Sequence, residues 1–234
     1  MKPLARIALL NPNTNAATTE AMLAIARNAA GALVSVEGRT APWGVQLITT
    51  ETLLASAAAV VAKIGPDIAA EGFDAIVIGG FGDPGLEALR SLVSIPVAGI
   101  AESGMADAAA GGRRFSVVTT TPDLADSIRA SAARYGHADQ LVSVRITDGD
   151  TISVMSDARR LERALVATCA RAIEDGAQSI VIGGGPLAAA AVAIATNVPV
   201  PVIEPVCAGV RHACRLLGLL SEALHVRVSS GGRS

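Results

Sequence analysis

The chain has 234 residues, of which 51% are hydrophobic and only 2% are aromatic, and its formal net charge is −2. This length suffices for one large or two small domains with a substantial core. The near-neutral charge, the lack of a basic stripe and the shortage of aromatic side chains argue against nucleic acid as a partner.

The cysteines and the apolar runs indicate where the protein resides. Cys169, Cys207 and Cys214 show neither CxxC spacing nor a neighbouring histidine cluster, which predicts no metal site and a reduced, cytoplasmic compartment. The apolar run 7–10 is too short for the core of a signal peptide. The uncharged stretch 179–203 is long enough to span a membrane, but glycines and prolines interrupt it, so it predicts a strand, a helix and a second strand.

The first half of the chain alternates short apolar runs with alanine-rich stretches, a pattern typical of an α/β fold. It predicts strands at 7–10, 33–36, 75–78 and 96–100, and helices at 16–30, 50–70 (one or two helices), 84–93 and 102–111. Thr14 or Asn15 is the expected N-cap of the first helix.

The second half continues in the same way. Strands are predicted at 115–118 and 142–146 and at both ends of the uncharged stretch, and helices at 122–136, at 157–175, from 186 and at 205–220. Thr121 is the expected N-cap of the helix that begins at Pro122, and 229–234 is expected to be a loose tail.

Three segments of the first half recur in the same order in the second. The Ile-Val-Ile-Gly-Gly run at 76–80 returns at 180–184, and the segments 6–11 and 95–100 have counterparts at 114–119 and 198–203. Chance similarity between apolar strands could produce one such match, but it is a poor explanation for three matches in the same order. The repeats predict an α/β fold of two pseudo-symmetric lobes, each a mostly parallel sheet flanked by helices, with a cleft between the lobes. Lobe 1 is predicted to comprise 1–98 and 206–234, and lobe 2 to comprise 99–205.

The turn after the strand at 75–78 is where the sequence predicts a site. Gly79, Gly80 and Gly82 permit a sharp turn, and Asp83 is the expected cap of a helix whose first position is Pro84. Converging main-chain N–H groups favour an anion at this point, and a carboxylate or imide oxygen would fit. An ordinary β-to-α turn is the competing interpretation.

Four motifs follow one another along the chain: Asn-Pro-Asn-Thr at 11–14, Phe-Gly-Asp-Pro-Gly-Leu at 81–86, Val-Thr-Thr at 118–120 and Pro-Val-Ile-Glu at 201–204. In this order and at these spacings they resemble the aspartate/glutamate/hydantoin racemase superfamily and are closest to its hydantoin and allantoin racemase branch. The resemblance implies two α/β lobes, a small-molecule substrate, no cofactor and assembly into a homo-oligomer. In that branch, two cysteines on opposite faces of the substrate's α-carbon exchange protons with it.

The chain departs from the branch at both cysteine positions, which are Gly80 and Gly184 here. Neither glycine can carry a proton, so the sequence does not support the two-thiol mechanism, and the one-cysteine arrangement of arylmalonate decarboxylases is absent too. Cys207 is a fallback, because the first turn of the last helix would lower its pKa. The competing interpretation of Cys207 is a small buried side chain, and Glu204 is expected to cap that helix.

The predicted ligand-contacting residues lie at strand ends of both lobes, where open parallel sheets bind ligands. Thr119 and Thr120 match the family's substrate-holding threonines, and Asn11 and Asn13 occupy the corresponding place in the other lobe. Turn and cap chemistry is a competing role for both pairs. The full set is Asn11, Asn13, Gly80, Phe81, Thr119, Thr120, Gly184, Gly185 and Val206.

Two classes of function remain open. The leading hypothesis is a cofactor-independent enzyme of the racemase, isomerase or decarboxylase type, which acts through an enolate or carbanion on a small carboxylate, hydantoin or cyclic imide. The alternative is a non-catalytic relative of hydantoin racemase that binds such a ligand. Replacement of both cysteines by engineering is a third interpretation.

Overall fold

The computed structural model describes residues 4–32 and 34–219, and this part of the chain contains two four-stranded sheets. The first has the order β2-β1-β3-β4, with β1 (Ala5–Asn11), β2 (Val34–Thr40), β3 (Ala75–Ile78) and β4 (Val97–Gly99). The second has the order β6-β5-β7-β8, with β5 (Phe115–Thr119), β6 (Leu141–Ile146), β7 (Ser179–Ile182) and β8 (Val202–Ile203). All of these strand pairs are parallel. The tail predicted at 229–234 and the strand start predicted at 33 lie outside the described residues.

Helices connect successive strands and cover the faces of the sheets. In the described part of the chain they are α1 (Ala16–Ala30), α2 (Glu51–Ala70), α3 (Leu86–Leu92), α4 (Ile100–Ala109), α5 (Ala125–Arg134), α6 (Thr151–Met155), α7 (Ala158–Glu174), α8 (Ala188–Ile194) and α9 (Pro205–Leu216). We call the first sheet with its helices lobe 1 and the second sheet with its helices lobe 2.

The two lobes repeat each other in detail, which confirms the pseudo-symmetric α/β fold. Both glycine turns begin with the same contact: the N–H of Gly79 donates to the carbonyl of Leu10 at 2.7 Å, and the N–H of Gly183 donates to the carbonyl of Val118 at 2.8 Å. The equivalent hydrogen bonds place both turns at the carboxyl ends of their sheets, next to the first strand of each lobe.

The lobes share one core. Every residue of β3 and β7 is buried, which explains their continuous apolar sequences. A single buried cluster joins Ile7 and Val77 of the first sheet to Phe115 and Val181 of the second. The core therefore fixes the two lobes against each other.

Three predicted helix starts at proline are wrong in detail. The helix expected at Pro84 begins at Leu86, because Gly85 adopts a left-handed backbone with φ +76° and interrupts the helical path. Pro122 and Pro186 each lie in a single 3₁₀ turn that precedes α5 and α8. Only Pro205 occupies the first position of its α-helix as predicted.

Other differences are local. The first strand pair extends further than predicted, with β2 reaching Thr40, and Asn15 rather than Thr14 caps α1 by accepting from the N–H of Thr18. The short helix α6 was not predicted; its N-cap Asp150 accepts from the N–H of Ser153 at 2.9 Å.

The long helix α2 has the length and composition of a membrane span. One face of it, which includes Val60, Val61 and Ile64, is buried in a cluster with Leu10 and Ile78 of the first sheet. The core helix of a folded protein has the same properties, so this helix is accounted for by packing.

Candidate active site

A cavity of about 50 Å³ lies where the carboxyl ends of the two sheets meet. This volume corresponds to roughly three to five water molecules, so its occupant is small. Lobe 1 contributes Asn13, Leu47, Ile48, Gly79, Gly80 and Phe81. Lobe 2 contributes Thr119, Thr120, Thr121, Leu124, Ile128, Met155 and residues 183–187. Seven of the nine predicted ligand-contacting residues are therefore brought together here, and Asn11 and Val206 are not.

The two glycine turns meet directly across the cavity. A Cβ on Gly185 would lie 2.6 Å from the carbonyl oxygen of Gly79, and a Cβ on Gly183 would lie 3.0 Å from Cε1 of Phe81. Side chains at these positions would force the lobes apart, so glycine permits the close approach. Positions 80 and 184, one on each turn, open onto the same cavity.

At positions 80 and 184, where the resemblance implies cysteines, the local structure suits glycine. A Cβ on Gly80 would lie 2.6 Å from Cγ of Pro12, a ring carbon with little freedom to move. Gly184 has φ +153°, a backbone conformation that residues with side chains rarely adopt. The backbone and its neighbours at both positions therefore favour glycine over a residue with a side chain.

Main-chain N–H groups from both turns are available to a ligand. Within the described residues, the N–H groups of Gly80, Phe81, Thr120, Gly184 and Gly185 donate to no protein acceptor. Groups of this kind stabilise negative charge on an oxygen atom.

The side chain of Asn13 is oriented so that it offers a donor. Its Oδ1 accepts from Nδ2 of Asn11 at 3.0 Å and from the N–H of Asn15 at 2.9 Å. Its Nδ2 has no partner among the described residues, and Asn13 lines the cavity. Asn11 holds this orientation and is itself fully buried, with Nδ2 also donating to Thr19 at 2.9 Å.

Three consecutive threonines line the opposite side of the cavity. The hydroxyls of Thr119 and Thr121 lie 3.1 Å apart, and the Thr120 hydroxyl contacts Sδ of Met155 at 3.5 Å. Thr151 donates to the carbonyl of Thr120 and so holds the strand end against α6. Thr121, expected only as a helix cap, makes no side-chain cap hydrogen bond and faces Thr119 instead.

An apolar wall completes the cavity, and sequence reasoning missed it. Leu47 and Ile48 lie in the segment that follows β2, and Met155 lies in α6, which follows β6. β2 and β6 are the equivalent edge strands of the two lobes. The internal repeat could therefore have predicted that the segment after β2 and the segment after β6 lie on the same side of the cleft. Leu124 and Ile128 extend the wall from α5.

Cys207, the thiol considered as a fallback, lies outside the cavity lining. Burial together with the nearby Glu204 carboxylate raises the pKa of Cys207 to about 12. Glu204 caps α9 as predicted, accepting from the N–H groups of Val206 and Cys207 at 2.9 and 2.6 Å. Val206 is fully buried in α9. Within the described residues, no ionisable side chain lines the cavity and no cluster of ligands could hold a metal ion.

The fold and the cavity define a two-lobed α/β protein with a small interlobe site between equivalent glycine turns. Residues 7–213 match the family described as Asp/Glu/Hydantoin racemase, and the chain belongs to that family. It is 32% identical over 218 residues to a hydantoin racemase of Pseudomonas sp. (strain NS671). This match covers 92% of this chain and 86% of that protein. These matches confirm the superfamily that the motifs predicted.

Solved structures agree. The allantoin racemase from Klebsiella pneumoniae superposes with a TM-score of 0.86 at 33% identity, covering 92% of this chain and 88% of that one. Unliganded arylmalonate decarboxylase shares the fold, with a TM-score of 0.62 at 18% identity, covering 94% of each chain. The hydantoin and allantoin racemase branch is thus confirmed by sequence and by structure.

Proposed function

We propose that this chain is a racemase-type enzyme that binds a small carboxylate, hydantoin or cyclic imide in the interlobe cavity and stabilises its enolate or carbanion. The observation that carries the proposal is that one small cavity is lined by residues of both glycine turns whose main-chain N–H groups donate to no acceptor within the described residues. Such groups are fixed before the ligand arrives, so they stabilise a developing oxyanion without reorganisation. The Nδ2 of Asn13 and the hydroxyls of Thr119 and Thr120 add further polar contacts.

The proton chemistry distinguishes the reaction types that the family fold supports. Racemisation and isomerisation begin with removal of a proton from the α-carbon, and this needs a base within hydrogen-bond reach. No ionisable side chain lines the cavity within the described residues. Decarboxylation begins instead with cleavage of a C–C bond: the carboxylate leaves as CO₂, its bonding electrons pass to the enolate, and water then protonates the α-carbon. Of the three reactions, decarboxylation depends least on the two absent thiols, because its first step needs no base.

The absence of ionisable side chains from the cavity lining, within the described residues, also favours a second candidate function. A cavity with hydrogen-bond donors and no proton carrier also suits a protein that binds the ligand without converting it. Binding with no turnover of any substrate class would support this alternative and overturn the enzyme proposal.

The deciding experiment uses three substrate classes in D₂O: 5-substituted hydantoins, α-substituted carboxylates and α-substituted malonates. Binding is measured by calorimetry, α-carbon deuteration and CO₂ release by NMR, and optical activity by polarimetry. Release of CO₂ with one deuterium at the α-carbon identifies a decarboxylase, and deuteration with loss of optical activity identifies a racemase. Absence of binding by all three classes would overturn both candidates.

A matched pair of variants ties the result to the cavity. Thr120→Val keeps the shape of the side chain but removes a hydroxyl, and we expect binding to weaken by about tenfold, as for loss of one hydrogen bond. Thr196→Val makes the same change at an exposed threonine away from the cavity and should leave binding unchanged.

A further inference from the structure

A buried carboxylate, Asp83, connects three elements behind the cavity. Asp83 is 4% exposed, and its two oxygens accept from the N–H groups of Ala101 at 2.8 Å and Glu102 at 2.7 Å, which are the second and third residues of α4. The same carboxylate accepts from the hydroxyl of Tyr135 at 2.8 Å. Asp83 belongs to lobe 1, whereas Tyr135 follows α5 of lobe 2.

The local structure is adapted to hold this carboxylate in place. Asp83 has φ +50°, and it is the only residue other than glycine with a positive φ in the described part of the chain. The carboxyl carbon packs against Gly99 so closely that a Cβ there would lie 2.3 Å from it. A non-glycine residue in this conformation is strained and persists only where its surroundings compensate. The three hydrogen bonds provide that compensation.

The carboxylate is also tied to the glycine turn that lines the cavity. The N–H of Asp83 donates to the carbonyl of Gly80 at 3.0 Å and closes the turn that contains Phe81. Because Gly80 and Phe81 supply unpaired N–H groups to the cavity, the position of Asp83 sets the position of those donors.

We propose that Asp83 and Tyr135 form an interlobe latch that holds the Gly80–Phe81 main chain in its ligand-binding position, so that both are positioning residues for the ligand site. This proposal rests on the proposed function in one respect, because it assumes that the interlobe cavity is the ligand site. Capping of α4 alone needs the two main-chain contacts from Ala101 and Glu102. The Tyr135 hydroxyl comes from the other lobe and adds nothing to the cap, so the interlobe contact needs another explanation.

Several charged groups surround Asp83 and influence the pKa of its carboxyl group. Glu102 on α4 is paired with Arg90 on α3 at 2.7 Å, Arg134 on α5 contacts the hydroxyl of Ser131 at 3.0 Å, and Glu51 on α2 and Glu87 on α3 line the groove outside Asp83. Burial raises the pKa of Asp83 to about 6, against the opposing effect of its three hydrogen bonds. Loss of the Tyr135 hydroxyl should therefore raise this pKa further.

The test compares Tyr135→Phe and Asp83→Asn with Asp157→Asn. Asn tolerates left-handed backbone as Asp does, so Asp83→Asn changes charge and hydrogen bonding but not the allowed backbone. Asp157 is the matched control, because its carboxylate caps α7 through the N–H of Arg160 at 2.6 Å and is exposed in lobe 2. Hydrogen exchange of the amides at 79–86 is measured without ligand, and ligand affinity is measured by calorimetry across pH 5 to 8.

For Tyr135→Phe we expect amide exchange at 79–86 to accelerate by about tenfold and ligand affinity to fall by a similar factor, as for loss of a hydrogen bond to a charged group. The pH midpoint of binding should move upward, whereas a merely structural defect would lower affinity at every pH without moving it. Tyr135→Phe should have no further effect in the Asp83→Asn background. Asp157→Asn should change none of these quantities.

Unchanged exchange and an unchanged pH midpoint in Tyr135→Phe would overturn the latch. If Asp83→Asn does not fold, Tyr135→Phe still decides, because it removes one hydroxyl only. If no ligand binds the wild-type protein, the proposed function fails, and the exchange measurement still determines whether the latch exists.

Discussion

The carbonyl oxygen of Gly79 lies so close to Gly185 that a Cβ on Gly185 would come within 2.6 Å of it. These glycines belong to the two repeated turns, one in each lobe. The lobes therefore meet main chain to main chain at the cavity, and no side chain separates them there. The arrangement places the unpaired N–H groups of both turns around one small ligand.

Gly185→Ala should disturb this contact more than a comparable change elsewhere. The new methyl group would collide with the Gly79 carbonyl and with Sδ of Met22, so we expect a loss of about 1–3 kcal/mol in the free energy of unfolding, as for overpacking. Ligand affinity should fall as well. Gly104→Ala is the control, since its Cβ would approach no atom closer than 3.2 Å and the site is not in the cavity wall. Urea unfolding and calorimetry measure both effects, and equal losses in the two variants would contradict the expectation.

Restoring a cysteine at position 80 should be opposed by Pro12. The Cβ of Gly80→Cys would lie 2.6 Å from Cγ of Pro12, and we expect a cost of about 1–3 kcal/mol in the free energy of unfolding. Pro12→Ala removes that carbon, so the double variant should lose less stability than the sum of the two single variants. Additive losses in urea unfolding would show that Pro12 is not the obstacle.

Much of the fold was predictable because the chain repeats its own pattern. The predicted strand at 75–78 matches β3, and the equivalent run at 180–184 marks the end of β7 and its glycine turn. Positions 80 and 184, which the family resemblance implies flank the substrate, both line the cavity. Buried parallel strands carry a strong apolar signal, so these elements were the easiest to identify.

What the sequence did not reveal depends on contacts between distant residues. Asp83 was expected to cap the helix after Pro84, because capping rules consider only neighbours in sequence. Instead its carboxylate caps α4, 18 residues further along at Ala101, and binds Tyr135 of the other lobe. Cys207 was expected to have a lowered pKa from the helix terminus, but burial has the larger effect. Both outcomes are set by tertiary packing.

Cys207 should react slowly with alkylating reagents in the folded protein. Its pKa is raised to about 12, so near pH 8 the thiolate fraction should be roughly 1000-fold below that of an ordinary cysteine. Peptide mapping after brief treatment with iodoacetamide measures this, and unfolding in guanidinium chloride provides the control in which Cys207 reacts normally. Cys207→Ser should leave ligand affinity unchanged. Rapid alkylation at neutral pH would restore the thiol as a candidate.

The ionisation of Asp83 should make the folded protein less stable as pH rises from about 4 to about 6. Its pKa is about 6 in the folded state against 3.8 ordinarily, so the folded protein holds a proton in this range that the unfolded chain has released. The difference of about two units corresponds to about 3 kcal/mol of stability that is present at pH 4 and lost above pH 6. Asp175, whose pKa is lowered to about 2 by Arg145 and Ser143, acts in the opposite direction at lower pH.

For that reason the measurement is the difference between wild type and Asp83→Asn in urea unfolding from pH 4 to 7. The asparagine variant cannot ionise there, so its stability relative to wild type should rise with pH and level off above pH 6. Asp157→Asn should follow the wild-type profile, since Asp157 is exposed. A constant difference between wild type and Asp83→Asn across this range would mean that the buried carboxylate keeps an ordinary pKa, because the three hydrogen bonds from Ala101, Glu102 and Tyr135 would then balance the effect of its burial.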